Sequence, residues 1–157
     1  INNLINRFEN NKLIRLLEDS KKPTPEKYFL HELYPDKIYN AVYGTEMFQL
    51  LSDNNFVLNI HSDESINHCG NIRMFEATGV GSCLLTDHKQ NLKDLFVPGE
   101  EVISYSSKSE FISKLNYLQN NLNIVQEISK KGQERTLKNH TTKIRVKEID
   151  DVIQREL

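Results

Sequence analysis

The chain has 157 residues, 38% hydrophobic and 27% charged, with a formal net charge of -2. That is enough for one compact domain with a real core and too little for two of ordinary size. A near-neutral balance with no long basic block gives no nucleic-acid footprint, and no apolar run approaches the ~20 residues that cross a bilayer, so no membrane span is expected.

The chain opens on Ile1 and carries no charged-then-apolar leader, as expected of a processed or partial sequence. Asn2 to Ser20 places Leu4, Ile5, Phe8, Leu13, Ile14, Leu16 and Leu17 near helical spacing, and predicts one helix or two broken at Asn10-Asn11. Lys21-Lys22-Pro23-Thr24-Pro25 stops it, because two prolines in three residues remove donors and push their predecessors to extended geometry. With Thr24 as cap and Pro25 in the first turn, a short helix through Leu33 follows. Pro35 to Tyr43 reads as either strand or loop, and Thr45 to Asn54 as a helix with Met47, Phe48, Leu50 and Leu51 apolar.

The stretch from Asn55 to Asp87 organises the rest. It reads as an apolar strand (Phe56 to Ile60), a polar loop (His61 to Gly70), a short helix (about Asn71 to Val80), a Gly-X turn and a second apolar strand (Ser82 to Thr86). This is the βαβ pattern of a parallel sheet, whose ligands lie beyond the carboxyl ends of the strands. The loop after Ile60 and the first turn of the helix therefore face the ligand, bringing Arg73, Glu76 and the helix N–H groups together. His88 to Leu95 predicts a helical turn or two, Val97-Pro98-Gly99-Glu100 a turn and Glu101 to Tyr105 a short strand. Amphipathic helices over Ser109 to Leu122 and Asn123 to Leu137 follow, Ser109 being the expected cap, then a last helix from Thr141 or Thr142 through Arg155. The organisation is one domain: a helical lead-in over 1–35, an α/β core over 36–105 and C-terminal helices over 109–157.

Several residues admit chemistry, each with a plainer reading beside it. Glu76 can grip the two hydroxyls of a ribose, or simply pair with Arg73 one helical turn away. Arg73 and the N–H groups of Asn71 and Ile72 suit a pyrophosphate at a helix start, or Arg73 is a surface cation pairing with Glu64 or Glu76. Asn59 and His61 end the first strand and line the cleft or hydrogen-bond locally. Thr86 and Asp87 close the second strand, facing a ligand or forming a turn. Gly81 bears on the ligand or ends the helix in the left-handed region. His61, His68, Cys69, Asp87 and His88 match no finger or ribbon spacing, so no metal is expected. Cys69 and Cys83 sit in a polar loop and an apolar strand, which fits a reducing, cytoplasmic setting better than a disulfide framework.

Asn71-Ile72-Arg73-Met74-Phe75-Glu76-Ala77-Thr78-Gly79-Val80-Gly81 followed by Leu84-Leu85-Thr86-Asp87 resembles the signature of the CgeB-like glycosyltransferases, relatives of the retaining group 1 (GT4-like) enzymes of GT-B fold. Val42-Tyr43-Gly44, Glu46-Met47, Leu58-Asn59-Ile60-His61, Leu95-Phe96, Gly99-Glu100-Glu101, His140-Thr141 and Arg145 extend the likeness over roughly Tyr39 to Ile153. The resemblance implies an α/β fold, the Rossmann-like parallel sheet lobe of a GT-B glycosyltransferase with a helical C-terminal tail. It implies a nucleotide-sugar donor bound by Glu76, Arg73, Asn71, Ile72, His61, Asn59 and Gly81, no cofactor or catalytic metal, and an N-terminal lobe elsewhere that holds an acceptor glycan, protein or small molecule. Group 1 enzymes often place a second glutamate eight positions before the ribose glutamate; here that position is His68, which favours the narrower group and leaves the sugar-side contact unassigned. Asn67, His68 and Asn71 are candidates for it by location. His140, Thr141 and Arg145 are read as helix-start and packing residues. The rival reading is a non-catalytic α/β interaction module whose amphipathic C-terminal helices dock on a partner.

Overall fold

The computed structural model describes residues 30–156. The helix expected over Asn2 to Ser20 lies outside them. The chain divides into two compact units, Ile1–Ala41 and Val42–Leu157. The described part of the first holds a single turn of helix, α1 (Leu30–Leu33), and a turn closed by the Lys37 amide on the Tyr34 carbonyl at 3.0 Å.

The second unit runs α2 (Gly44–Ser52), β1 (Phe56–Asn59), α3 (Ile72–Gly79), β2 (Cys83–Asp87), α4 (Leu92–Leu95), β3 (Ile103–Tyr105), α5 (Lys108–Gln119), α6 (Leu122–Asn139) and α7 (Thr142–Glu156). The strands form one parallel sheet in the order β1-β2-β3, with Phe56 opposite Cys83, Asn59 opposite Thr86 and Leu85 opposite Ile103. Central β2 is buried from Cys83 to Thr86, as a strand covered on both faces must be. Alternate residues serve opposite faces. Leu84 packs with Leu51 of α2, Met74 and Ala77 of α3 and Leu92 of α4 on one side, while Cys83 and Leu85 pack with Leu118 of α5 and Val125 and Ile128 of α6 on the other. The α3 residues Met74, Ala77 and Thr78 recur at helical spacing, so one stripe of that short helix is buried and the other stays near the surface.

Helix α6 begins in the second cluster and reaches α3 along the amino edge of the sheet. Gly132 permits this approach: a Cβ there would run into the carbonyl oxygen of Glu101. The hydroxyls of Thr78 and Thr136 meet at 2.6 Å in the seam, and Gln133 donates to the Gly79 carbonyl at 3.0 Å.

The order of elements follows the sequence expectation, with local shifts. The cap of α5 is Ser107, not Ser109: its hydroxyl accepts from the Glu110 amide at 3.2 Å, and Glu110 reaches back to the Ser106 amide at 2.8 Å. This is a variant of the capping box, the glutamate reaching the amide one residue before the cap, and it starts the helix two residues earlier than expected. Pro35 to Tyr43 forms a turn and irregular chain, not a strand.

Candidate functional site

The last residue of β1, Asn59, and the next-to-last of β2, Thr86, bind each other through their side chains. Asn59 Nδ2 donates to Thr86 Oγ1 at 3.1 Å, and Asn71 Nδ2 donates to Asn59 Oδ1 at 2.9 Å, joining the two strand ends to the residue that opens α3. Two residues beyond β1, the His61 amide and ring Nδ1 both point to Asp87 Oδ1, at 3.1 and 2.7 Å. Lys89 sits 3.2 Å from the other Asp87 oxygen. Burial pushes the Asp87 carboxyl up, but the hydrogen bonds from His61 and Lys89 together outweigh it and hold its pKa below the ordinary value. The loop between His61 and Gly70 is fixed from the same side. Asn91 accepts from the Cys69 amide at 2.7 Å and donates to the Cys69 carbonyl at 2.9 Å, and the Gln90 amide donates to the Asn67 carbonyl at 3.0 Å.

Three buried side-chain atoms here lack a hydrogen-bond partner among the described residues: His61 Nε2, Asn71 Oδ1 and Glu76 Oε2. Buried polar atoms are nearly always paired, so three around one loop and helix are unusual. Glu76 Oε2 does lie 3.2 Å from Arg73 Nη1, near enough for an ion pair but not aligned as a hydrogen bond. Arg73 is 37% exposed, and an i,i+3 pair so wetted contributes only a few tenths of a kcal/mol. That is too little to account for burying a carboxylate oxygen, which costs about 1–3 kcal/mol or more when left unpaired.

Glu76 lines a groove of about 490 Å³ that runs along α3 from Ile72 through Phe75 to Gly79 and is closed by Phe48 of α2 and the junction of α6 with α7. The far wall is rigidly built. His140 Nε2 donates to the Leu95 carbonyl at 2.8 Å while its Nδ1 accepts from Arg145 Nη2 at 2.8 Å, which fixes one neutral tautomer. The ring packs against Phe75 and Phe96, with centroids 5.1 and 5.3 Å away, and Arg145 lies 5.9 Å over Phe75. Burial and the two nearby guanidinium groups of Arg145 and Arg135 lower the His140 pKa, against the pull of the Leu95 carbonyl. These residues pack and position, as the sequence reading has them.

The sequence-derived candidates thus fall into three places. Asn59, His61 and Asn71 meet at the carboxyl edge, Ile72 and Arg73 stand at the start of α3, and Glu76 lies one turn further along in the groove. Gly81 is not brought to them. It sits at the opposite, amino edge of β2 with φ +86, where it turns the chain from α3 into the strand. Asn67 and His68 are exposed on the loop. The sequence reading missed Lys89 and Asn91, which lie just past β2 and hold the loop after β1; only the parallel pairing of the two strands brings them there. Among the described residues no group of three His, Cys, Asp or Glu side chains is placed to hold a metal, and no helix is long and apolar enough to cross a membrane.

A family model described as glycosyl transferase-like matches residues 21–151. No curated protein matches the chain. Among solved structures, sucrose-phosphate synthase from Thermosynechococcus elongatus superposes with a TM-score of 0.64 at 12% identity, over 80% of this chain and 32% of that one. The chain therefore spans about a third of that protein's length. At this identity the likeness is one of fold: an α/β, Rossmann-like parallel-sheet lobe of GT-B type.

Proposed function

The chain belongs to the glycosyl transferase-like family, and from that premise we propose that it is the donor-binding lobe of a CgeB-like, retaining glycosyltransferase that takes a nucleotide-sugar. Glu76 accepts the two ribose hydroxyls. Arg73 and the backbone N–H groups at the start of α3 receive the diphosphate, offsetting charge on the leaving nucleoside diphosphate. Asn59 and His61 support that edge from beneath. The transferred group is a hexose, the acceptor sits on a second, N-terminal lobe, and no metal or cofactor takes part. Two unpaired cysteines, Cys69 and Cys83, support a cytoplasmic setting.

The observation that supports this reading is Glu76 on the wall of the groove, its carboxylate held among the described residues by a 3.2 Å ion pair with Arg73 and by no aligned hydrogen bond at Oε2. Ribose hydroxyls supply the hydrogen bonds that this pair does not. The test is a melting experiment with UDP, GDP, dTDP and ADP in turn. One of them raises the midpoint, because a ligand at a hundredfold over its Kd stabilises by about 2.7 kcal/mol. If none shifts the full-length parent, the donor-binding reading is lost.

One observation favours a second reading, a non-catalytic interaction module. Helix α7 has no buried residue, and Val146, Ile149, Val152 and Ile153 are each about half exposed. A module of that kind shows no nucleotide response.

A further inference from the structure

We propose that the groove beside α3 is the nucleobase subsite, with the base of the donor lying over Gly79, whose missing side chain keeps the floor open. The inference deepens the donor-binding reading and rests on it.

Gly79 is the glycine that the fold does not explain. Of the six glycines in the chain, Gly44, Gly70, Gly81 and Gly99 hold positive φ, and a Cβ at Gly132 would strike the Glu101 carbonyl. Neither reason applies at position 79. Gly79 is the last residue of α3, and a Cβ there would meet nothing nearer than Thr136 Cγ2 at 3.7 Å, an ordinary van der Waals contact. Alanine fits that position and a helix favours it over glycine, so the glycine contributes no stability. What it leaves is room.

That room belongs to the groove of about 490 Å³, a size within the ~300–1,000 Å³ of small-molecule sites. Ile72, Glu76 and Gly79 stand at i, i+4 and i+7, on the face of α3 turned away from the buried Met74, Ala77 and Thr78, and all three line the groove. Around Gly79 the lining is apolar. The Thr136 hydroxyl is engaged by Thr78, its methyl lies on the Gly79 side, and Leu137 beside it is 58% exposed. A flat ring with apolar faces suits such a floor, whereas a phosphate or a sugar would lose its hydration there.

The order of groups along the helix says which part of the nucleotide goes where. With the diphosphate at Arg73 and the ribose at Glu76, as proposed above, the turn that follows is left for the base. Three helical residues advance about 4.5 Å, comparable with the step from the ribose hydroxyls to the base.

Titration calorimetry on the full-length protein tests this with UDP, GDP, dTDP and ADP, and with ribose 5-phosphate as a ligand that has no base. Gly79→Ala melts no lower than the parent, yet binds the preferred diphosphate about tenfold more weakly, as one misplaced methyl in a pocket does. Its affinity for ribose 5-phosphate is that of the parent. Leu137→Ala, at a half-exposed position that can be trimmed without unfolding the chain, weakens the diphosphate about fivefold and leaves ribose 5-phosphate unchanged. The subsite is refuted if both variants bind the diphosphate as the parent does, or if they weaken ribose 5-phosphate equally. In either case a parent that binds one of the four diphosphates keeps the donor-binding reading and loses only the base from this groove. A parent that binds none of them overturns that reading, and the subsite with it.

Discussion

At the amino edge of the sheet Thr78, Ser82, Gln133 and Thr136 all find hydrogen-bond partners, whereas around the loop after β1 and the first part of α3 three buried polar atoms find no hydrogen-bond partner among the described residues. Both regions are assembled from the same βαβ unit and share α3. At its C-terminal end the Thr78 hydroxyl bonds the Met74 carbonyl at 2.7 Å and Thr136 at 2.6 Å, and α6 lies close enough that only glycine fits at position 132. At its N-terminal end Asn71 makes no side-chain cap, and the Asp87 carboxylate is held by the His61 ring and Lys89 at the end of the long loop. A protein built for stability alone would satisfy both ends. The difference is the one expected if the amino edge serves folding and, as proposed above, the carboxyl edge serves binding, since ligands of parallel sheets lie beyond the carboxyl ends of the strands.

The contrast breaks most sharply if Glu76 turns out to matter for stability and not for binding. Glu76→Ala removes two hydrogen bonds from a charged acceptor to ribose, about 3 kcal/mol or roughly a hundredfold in affinity. Its thermal midpoint without ligand is no lower than that of the parent, because the ion pair lost with Arg73 is solvent-wetted and the cost of burying a carboxylate oxygen is lost with it. Denaturation and nucleotide titration on the same sample separate the two. A variant that melts early and binds normally would place Glu76 with the structural edge.

The opposite edge makes the opposite prediction. Gly132→Ala gains up to about 1 kcal/mol of helix propensity, but its Cβ meets a backbone carbonyl that cannot rotate away. Overpacking of this kind costs about 1–3 kcal/mol, so a net loss of about 1–2 kcal/mol and a midpoint several degrees lower are expected. Nucleotide affinity of the folded fraction is unchanged. Equal stability in Gly132→Ala would mean that α6 sits further from Glu101 than the structure places it.

How much of this was legible beforehand depends on range. The βαβ unit was, because Phe56 to Leu58 and Cys83 to Leu85 are apolar runs of strand length around a helix-period segment. The same runs do not say that Leu58 is half exposed while β2 is covered on both faces, since that depends on which strand is central. Glu76 and Arg73 were legible as neighbours on one helix. Asp87, read as a ligand contact or a turn, pairs instead with His61, 26 residues away, and no local pattern encodes that. Gly81 was grouped with the site because it closes the unit, yet a helix running antiparallel to its strands ends at the edge away from the ligand. Ser109 reads as a cap only with Ile112 where a capping box has an acid; Glu110, three residues after Ser107, is the sign that the true start lies two residues earlier.

The smallest effect is in acid, where the two regions lose stability at different pH. His140, at the end of the α6 seam, has its pKa lowered below the ordinary 6.5 in the folded protein, so the unfolded chain takes up a proton first. Stability is complete above about 6.5 and drains away as the pH falls from there through the lower folded value, because a proton on Nδ1 replaces an acceptor with a cation facing Arg145. Asp87 is also lowered, from 3.8, so its contribution is intact until below about pH 4 and is lost as the pH falls through its folded value. Midpoints measured from pH 7.5 to 5 should fall for the parent and fall less for His140→Gln, whose amide can still donate to Leu95 and accept from Arg145 but does not titrate. Asp87→Asn changes the region below about pH 4, where the parent's carboxylate takes up its proton and its contribution is lost. A curve that keeps falling below about pH 4 as steeply in Asp87→Asn as in the parent would remove Asp87 from the account of the carboxyl edge.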